Sequence, residues 1–256
     1  MMKRVIAVTC ALFITVSLWA LEPDDKAIVG VWLLDGDYKD LSGNGNKGKE
    51  TGDFKFGNGK FGDAVFAKGG GAIDVKDSPS LLSVEKEMTI AAWFRVDADS
   101  DTGPRKNGAY LLEDQSNGEP VKHGFSFRIW TSDGITPGFY GKTELEQKKW
   151  YHVAGTYDGK NVEMYVDGKP ESKKGVLDAG GADWKPEWGG AIQPGSTLQL
   201  KFGSESFTGG IDEIVICNRA LDADEIGQLL NGWADAFAVA PQSKLATTWS
   251  RIKSRE

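Results

Sequence analysis

Apolar and polar residues alternate with period two through several short stretches of the chain, the pattern of a strand that buries one face. Thr89-Ile90-Ala91-Ala92-Trp93-Phe94-Arg95-Val96 puts Ile90, Ala92, Phe94 and Val96 on one side and Thr89, Trp93 and Arg95 on the other. Phe125, Phe127 and Ile129 share a face in the same way, as do Val162, Met164 and Val166, and Leu198, Leu200 and Phe202. A helix cannot present a period of two, so these segments are expected to be antiparallel strands.

The turns agree. Tyr157-Asp158-Gly159-Lys160-Asn161 carries an Asp-Gly pair between two strand-like runs, and Asp167-Gly168-Lys169 repeats the signal at the end of the second run. Asp-Gly takes positive φ readily, which predicts a hairpin of residues 150–157 with 161–166. One short helix is expected over 220–232, with an Asp N-cap, acids in its first turn and Gly232 at its end, packing Ile226 and Leu230 on the strands. No internal repeat suggests a propeller or solenoid. Short strands with regular turn signals predict an all-β, two-sheet antiparallel β-sandwich with one short C-terminal helix.

The first residues read differently. Lys3 and Arg4 precede an apolar run over 5–18 and the small residue Ala20, the layout of a secretory signal peptide. The run is shorter than the ~20 residues that span a bilayer, and no other stretch approaches that length, so no integral membrane span is expected. The expected organisation is a signal peptide at 1–20, the sandwich at 21–235 and a tail at 236–256 containing Pro241 and a basic end. Cleavage would remove Lys3 and Arg4 but no acid, taking the formal net charge from −7 to −9. Such a surface repels phosphate backbones, and no Lys/Arg cluster interleaved with aromatics is present, so nucleic acid is excluded as a partner. Only Cys217 would survive processing, which rules out an intrachain disulfide.

Five segments, in order, resemble the bacterial laminin-G-like jelly-roll domains of the concanavalin A-like lectin/glucanase superfamily. They are Asp40-Leu41-Ser42-Gly43-Asn44-Gly45-Asn46-Lys47-Gly48; Gly59-Lys60-Phe61-Gly62-Asp63-Ala64-Val65-Phe66; and Thr89-Ile90-Ala91-Ala92-Trp93-Phe94. Trp150-Tyr151-His152-Val153-Ala154-Gly155-Thr156-Tyr157-Asp158-Gly159 with Met164-Tyr165-Val166-Asp167-Gly168 resembles the family's central hairpin. Gly209-Gly210-Ile211-Asp212-Glu213-Ile214, running into Asn218-Arg219-Ala220-Leu221, resembles its closing strand and helix. The resemblance covers roughly residues 27–232. It implies a jelly roll that binds carbohydrate or protein outside the cell, often with a structural Ca²⁺. One departure is Phe66-Ala67-Lys68-Gly69-Gly70-Gly71, which lacks the family's acids there; Lys68 would weaken a metal site built on that loop.

Candidate chemistry starts from Asp212 and Glu213. Alternation puts Asp212 with Ile214 and Ile216, and Glu213 with Ile211, Val215 and Cys217, so one acid is expected to point inward. A buried carboxylate needs backbone N–H groups, a base or a cation, and Ca²⁺ accepts six to eight oxygen ligands. The metal expectation is Asp212 with Asp35 and Asp40; the alternative is an Asp satisfied by backbone amides alone. Asn44 and Asn46 give residues 40–48 a superficial likeness to a calcium loop, but a glycine-rich turn is the better reading because no closing Glu follows. The aperiodic stretch 175–196 holds Asp183-Trp184-Lys185-Pro186-Glu187-Trp188. Trp184 and Trp188 offer flat faces to sugar C–H groups, with Asp183 and Glu187 to bond hydroxyls, so these four are the expected ligand contacts. The bland alternative is tryptophans folded over the end of the core.

Catalysis is not expected. The Glu-x-Asp-x-x-Glu of glycosidases on related sandwiches is absent, and Glu144-x-Glu146 sits among lysines in a solvated loop. His123 and His152 lack a nucleophile motif, and no zinc spacing exists. The leading expectation is therefore a secreted or cell-surface binding module for extracellular glycans or glycoproteins, with structural calcium. Its rivals are an adhesive protein working through protein contacts and, more remotely, a diverged glycoside hydrolase.

Overall fold

The alternating segments become antiparallel strands in a computed structural model, which describes residues 21–22, 25–76, 78–97, 105–106, 109–110, 126–129, 131–132, 138–141, 143, 145–171, 173–177, 191–192 and 208–236. In chain order the strands are β1 (Ile28–Trp32), β2 (Gly48–Asn58), β3 (Asp63–Val75), β4 (Met88–Val96), β5 (Arg105–Lys106), β6 (Ala109–Tyr110), β7 (Ser126–Ile129), β8 (Gly138–Gly141), β9 (Trp150–Tyr157), β10 (Val162–Val166), β11 (Lys169–Pro170), β12 (Lys173–Leu177) and β13 (Thr208–Cys217). The larger sheet runs β11-β10-β9-β4-β13-β3-β2, with β1 also paired to β13; the smaller runs β12-β8-β7-β6-β5. The predicted hairpin is present, with Val162 opposite Tyr157 and Val166 opposite Val153. Its far turn has φ 48° at Asp167 and 72° at Gly168, the paired positive φ that a two-residue β-turn of the primed type needs. The segments at 125, 198–202 and 237–256 lie outside the described residues.

Ile90, Ala92, Phe94 and Val96 of β4, Val162, Met164 and Val166 of β10, and Phe127 and Ile129 of β7 meet in one core between the sheets. Gly155 is bare because a Cβ there would collide with the Phe127 ring. The central strands are also buried on their other face, where Val31, Ala91, Ala154, Val215 and Cys217 form a second apolar layer. Small alanines leave room for the C-terminal segment to lie close against the sheet. That segment is α2 (Ala223–Gln228), a 3₁₀ turn at Leu229–Asn231, and α3 (Trp233–Ala236).

Asp222 caps α2 by accepting from the Asp224 and Glu225 N–H groups, and Glu225 returns a bond to the Asp222 N–H. Arg219 forks onto Glu225 at 2.6 and 2.7 Å and reaches Asp25 at 2.9 Å, tying the segment to the start of the chain. Ile226 is buried as expected, but Leu229 and not Leu230 is its buried companion, because the 3₁₀ turn tightens the winding and shifts the phase. Leu230 instead covers Gly168. Each such large apolar side chain contributes about 1.5–3 kcal/mol on burial. A further four-residue helix, α1 (Pro79–Leu82), was not expected; it starts on the side-chain cap of Ser78.

β13 departs from strict alternation. It pairs with β4 as Ile211 to Phe94 and Asp212 to Trp93, then slips before resuming at Val215 to Ala91. Glu213, at the slip, has φ 51°. This β-bulge adds one residue to the strand, so Ile211, Ile214 and Ile216 all reach the inter-sheet core. One acid was expected to be buried; both are, but on the face opposite that core. Asp212 is in register with Trp93 on the opposite face, and Glu213 accepts the Trp233 N–H at 2.6 Å. Along its other edge β13 pairs β3 at 208–211 and β1 at 214–217, so the bulge faces the gap between those two strands.

Candidate functional site

The β2–β3 turn closes over that gap. Asp212 Oδ2 accepts the N–H groups of Lys60 and Phe61 at 2.8 and 3.0 Å. The exposed Asp35, just beyond β1, accepts the Asp63 N–H through Oδ1 at 2.7 Å. Two carboxylates thus grip one turn from either side. Its glycines are required: a Cβ on Gly59 would stand 2.6 Å from Asp212 Oδ2, and one on Gly62, at φ 47°, would collide with Asp35 Oδ1.

Beneath the turn lies a polar row across three strands, since Asp212 is in register with Trp93 and Trp93 with His152. Phe61 meets Trp93 edge-on at 5.8 Å, the Lys60 ammonium stands 4.3 Å from the Trp93 ring centre, and Trp93 meets His152 at 5.4 Å. Asp212 Oδ1, Trp93 Nε1 and His152 Nδ1 are all buried without a hydrogen-bond partner among the described residues. Burial pushes the Asp212 carboxyl up to about 7; N–H donation from Phe61 and Lys60 opposes the rise, while the charges of Glu213 and Asp35 add to it. Burial also lowers His152 to about 4, so its imidazole is neutral at physiological pH. With His152 sealed in, a catalytic role for it has no route to substrate.

Asp40 does not join this group. Its Oδ1 accepts from Val31 and Ser42 and its Oδ2 from Asn46. Asn44 and Asn46 donate to the Val29 carbonyl through Nδ2, and the Leu41 N–H bonds the Val31 carbonyl. Among the described residues β1 pairs only with β13, and this loop saturates its other edge in place of a strand. Residues 40–48 are thus a glycine-rich structural brace, the reading preferred from the sequence.

The brace also builds one wall of an open cleft of about 650 Å³ at the Gly48/Val75 end of the β2–β3 ribbon. Clefts of 300–1,000 Å³ suit small ligands. Tyr38 forms its aromatic wall and is fixed at three points: its carbonyl accepts the Gly48 N–H at 2.9 Å, its ring meets Phe56 at 5.2 Å, and its hydroxyl donates to Glu50 at 2.7 Å. Phe56 is 38% exposed although it is a large apolar residue. Lys47, Lys49 and Lys76 line the cleft with Glu50, Asp74 and Asn46. Asn46 is buried, and its Oδ1 has no partner among the described residues. Glu50 is opposite Ile73 and Asp74 opposite Lys49, so the two acids leave the ribbon on opposite faces. They do not form the facing carboxylate pair of a glycosidase.

Asp183, Trp184, Glu187 and Trp188 lie outside the described residues. Sequence reasoning passed over Tyr38 and the lysines because Phe56 and Lys76 stand 18 and 38 positions beyond Tyr38; no local motif links them, and the β2–β3 pairing brings them together. Among the described residues, no helix is long and apolar enough to cross a membrane, and no group of three or more His, Cys, Asp or Glu is placed to hold a metal.

The model of the concanavalin A-like lectin/glucanases superfamily matches residues 67–227. No curated protein matches the chain. Among solved structures, domain 4 of AbnA, a GH43 extracellular arabinanase from Geobacillus stearothermophilus in complex with arabinotriose, is similar at 18% identity and TM-score 0.53, over 79% of this chain and 98% of that one. The binding domain of Paraclostridial Mosquitocidal Protein 1 is similar at 17% identity and TM-score 0.60, over 83% of this chain and 53% of that one. Botulinum neurotoxin type C, described as entering cells through two ganglioside molecules, is similar at 16% identity and TM-score 0.51, over 81% and 51%. The chain thus spans about half the length of the two toxin chains, and identities this low show a shared fold.

Proposed function

The chain belongs to the concanavalin A-like lectin/glucanases superfamily, and from that premise we propose that it is an exported, non-catalytic module that binds extracellular glycans. The observation that carries this reading is the Tyr38 cleft. Both faces of the central strands are buried, so a ligand must be met at the loops and edges, and there an immobilised aromatic ring stands among hydrogen-bonding side chains. Tyr38 supplies the apolar face that a sugar ring stacks on, and Lys47, Lys49, Glu50 and Asn46 supply polar contacts for hydroxyls. A fold shared with an arabinotriose-bound domain and a ganglioside-dependent toxin supports the carbohydrate assignment. Trp184 and Trp188, with Asp183 and Glu187, are proposed as further contacts on sequence grounds. The signal-like first 20 residues support export.

A structural Ca²⁺ forms part of the proposal. Asp212 Oδ1, buried and without a partner among the described residues, and the exposed Asp35 converge on the Gly59–Gly62 turn, which fits the oxygen donors that Ca²⁺ requires. These two residues would hold it, and Asp40 would not, being committed to the brace. The ion would neutralise a buried carboxylate that burial otherwise disfavours.

The test is an array of plant, bacterial and animal glycans probed with the full mature chain, followed by incubation of each bound glycan and assay for new reducing ends. Binding without hydrolysis is expected. Hydrolysis would contradict the non-catalytic assignment, and binding to no glycan would favour an adhesive protein acting through protein contacts.

A further inference from the structure

We propose, on top of the carbohydrate reading, that the Tyr38 cleft selects carboxylate-bearing sugars, with Lys49 and Lys76 recognising the acid and Tyr38 the ring. The chain carries a formal net charge of −7, yet three lysines gather at this one mouth. Of the acids that share it, Glu50 accepts the Tyr38 hydroxyl, and Asp74, opposite Lys49 in the ribbon, accepts the Thr51 hydroxyl through Oδ2 at 2.8 Å. Lys47 faces outward competition from Asp37, which it influences at a distance and which already holds Lys39 at 2.7 Å. Lys49 and Lys76 form no ion pair among the described residues, so their ammonium groups are the charges left to meet a ligand. Elsewhere Arg95 bonds Asp97, Lys149 bonds Glu146, and Arg219 bonds Glu225 and Asp25, while Lys26, Lys55, Lys68 and Lys86 also form no ion pair among the described residues, so it is their gathering beside Tyr38 that sets Lys49 and Lys76 apart.

Geometry favours a sugar acid over an isolated anion. The lysines rim a cleft whose wall is an aromatic ring fixed at carbonyl, ring face and hydroxyl, so the ligand must present a carboxylate beside an apolar face. A pyranose with a ring carboxylate does so in one unit. Preorganisation of this kind lowers the ordering cost of binding.

Calorimetric titration of the full mature chain with a galacturonate tetramer and with its methyl ester tests the inference, since esterification removes each negative charge and adds only a methyl group. Sialyllactose and its methyl ester run the same comparison for a terminal sialic acid and identify which source of the carboxylate is preferred. In at least one pair the acid is expected to bind about tenfold more tightly than the ester, the difference shrinking as salt is raised. The Lys49→Gln/Lys76→Gln variant, altered only at surface side chains, is expected to lose the preference and bind acid and ester alike. Equal binding of acid and ester, or an unchanged preference in the variant, overturns the inference and leaves the carbohydrate reading intact. Binding of none of the four probes also overturns it; the glycan array then decides separately whether the carbohydrate reading falls with it.

Discussion

Asp212 is a carboxylate with one oxygen satisfied by two backbone N–H groups and the other buried without a partner among the described residues, so its stability effect depends on what neutralises it. Its folded carboxyl sits near 7, above the ordinary 3.8. Without a cation the folded state holds a proton between those values that the unfolded state has lost, so stability falls as pH rises through this window. Calcium at pH 8 is expected to replace the proton: at a concentration a hundredfold above its Kd it adds about 2.7 kcal/mol, or roughly 5–10 °C in melting temperature against EDTA. Asp212→Asn, which keeps the acceptor for Lys60 and Phe61, should abolish that calcium shift. An equal shift in the variant would place the ion elsewhere. His152 carries the opposite sign. Its imidazole is lowered to about 4 by burial, so the stability it contributes is present above pH 6.5 and lost as pH falls through 4. Chemical unfolding between pH 7 and pH 4 should therefore show a smaller acid loss in His152→Gln than in the parent, by up to about 3 kcal/mol.

At the scale of elements, local pattern carried the strands and long-range pairing carried the exceptions. The hairpin of β9 and β10 was legible because Asp158-Gly159 and Asp167-Gly168 fix its ends and Val162, Met164 and Val166 alternate cleanly. The two-faced burial of β4, β9 and β13 was not, because Ala91, Ala154 and Cys217 look neutral in a strand until α2 and α3 are laid against them. The bulge at Glu213 was hidden for the same reason: Ile211-Asp212-Glu213-Ile214 fits a regular strand on paper, and only the gap between β1 and β3 shows why an extra residue is tolerated there. The loop at 40–48 was legible as a glycine-rich turn, but its task of saturating the β1 edge was not. Asp40→Ala removes three N–H bonds from that brace and is expected to cost about 2 kcal/mol in urea unfolding, without altering the calcium shift. A lost calcium response in this variant would return Asp40 to the metal site.

At the scale of the whole molecule, the sandwich covers its own broad surfaces. The inner faces of the two sheets bury each other and the C-terminal segment lies on the outer face of β1, β4, β9, β10 and β13 in the larger one, which leaves the rim as the proposed place of binding. The rim was the part least legible in the sequence. Tyr38, Lys49 and Lys76 come from three separate stretches that only the β2–β3 ribbon gathers, whereas Trp184 and Trp188 attracted notice by standing close together in an aperiodic stretch. The two places make different demands on experiment. Backbone amide shifts of the isotope-labelled mature chain, followed during titration with a glycan that scores on the array, test most directly that the Tyr38 cleft is where the molecule binds. Saturable shifts clustered at residues 38, 46–50 and 74–78 are the expected result. Shifts confined to 183–188, with the cleft silent, would contradict it.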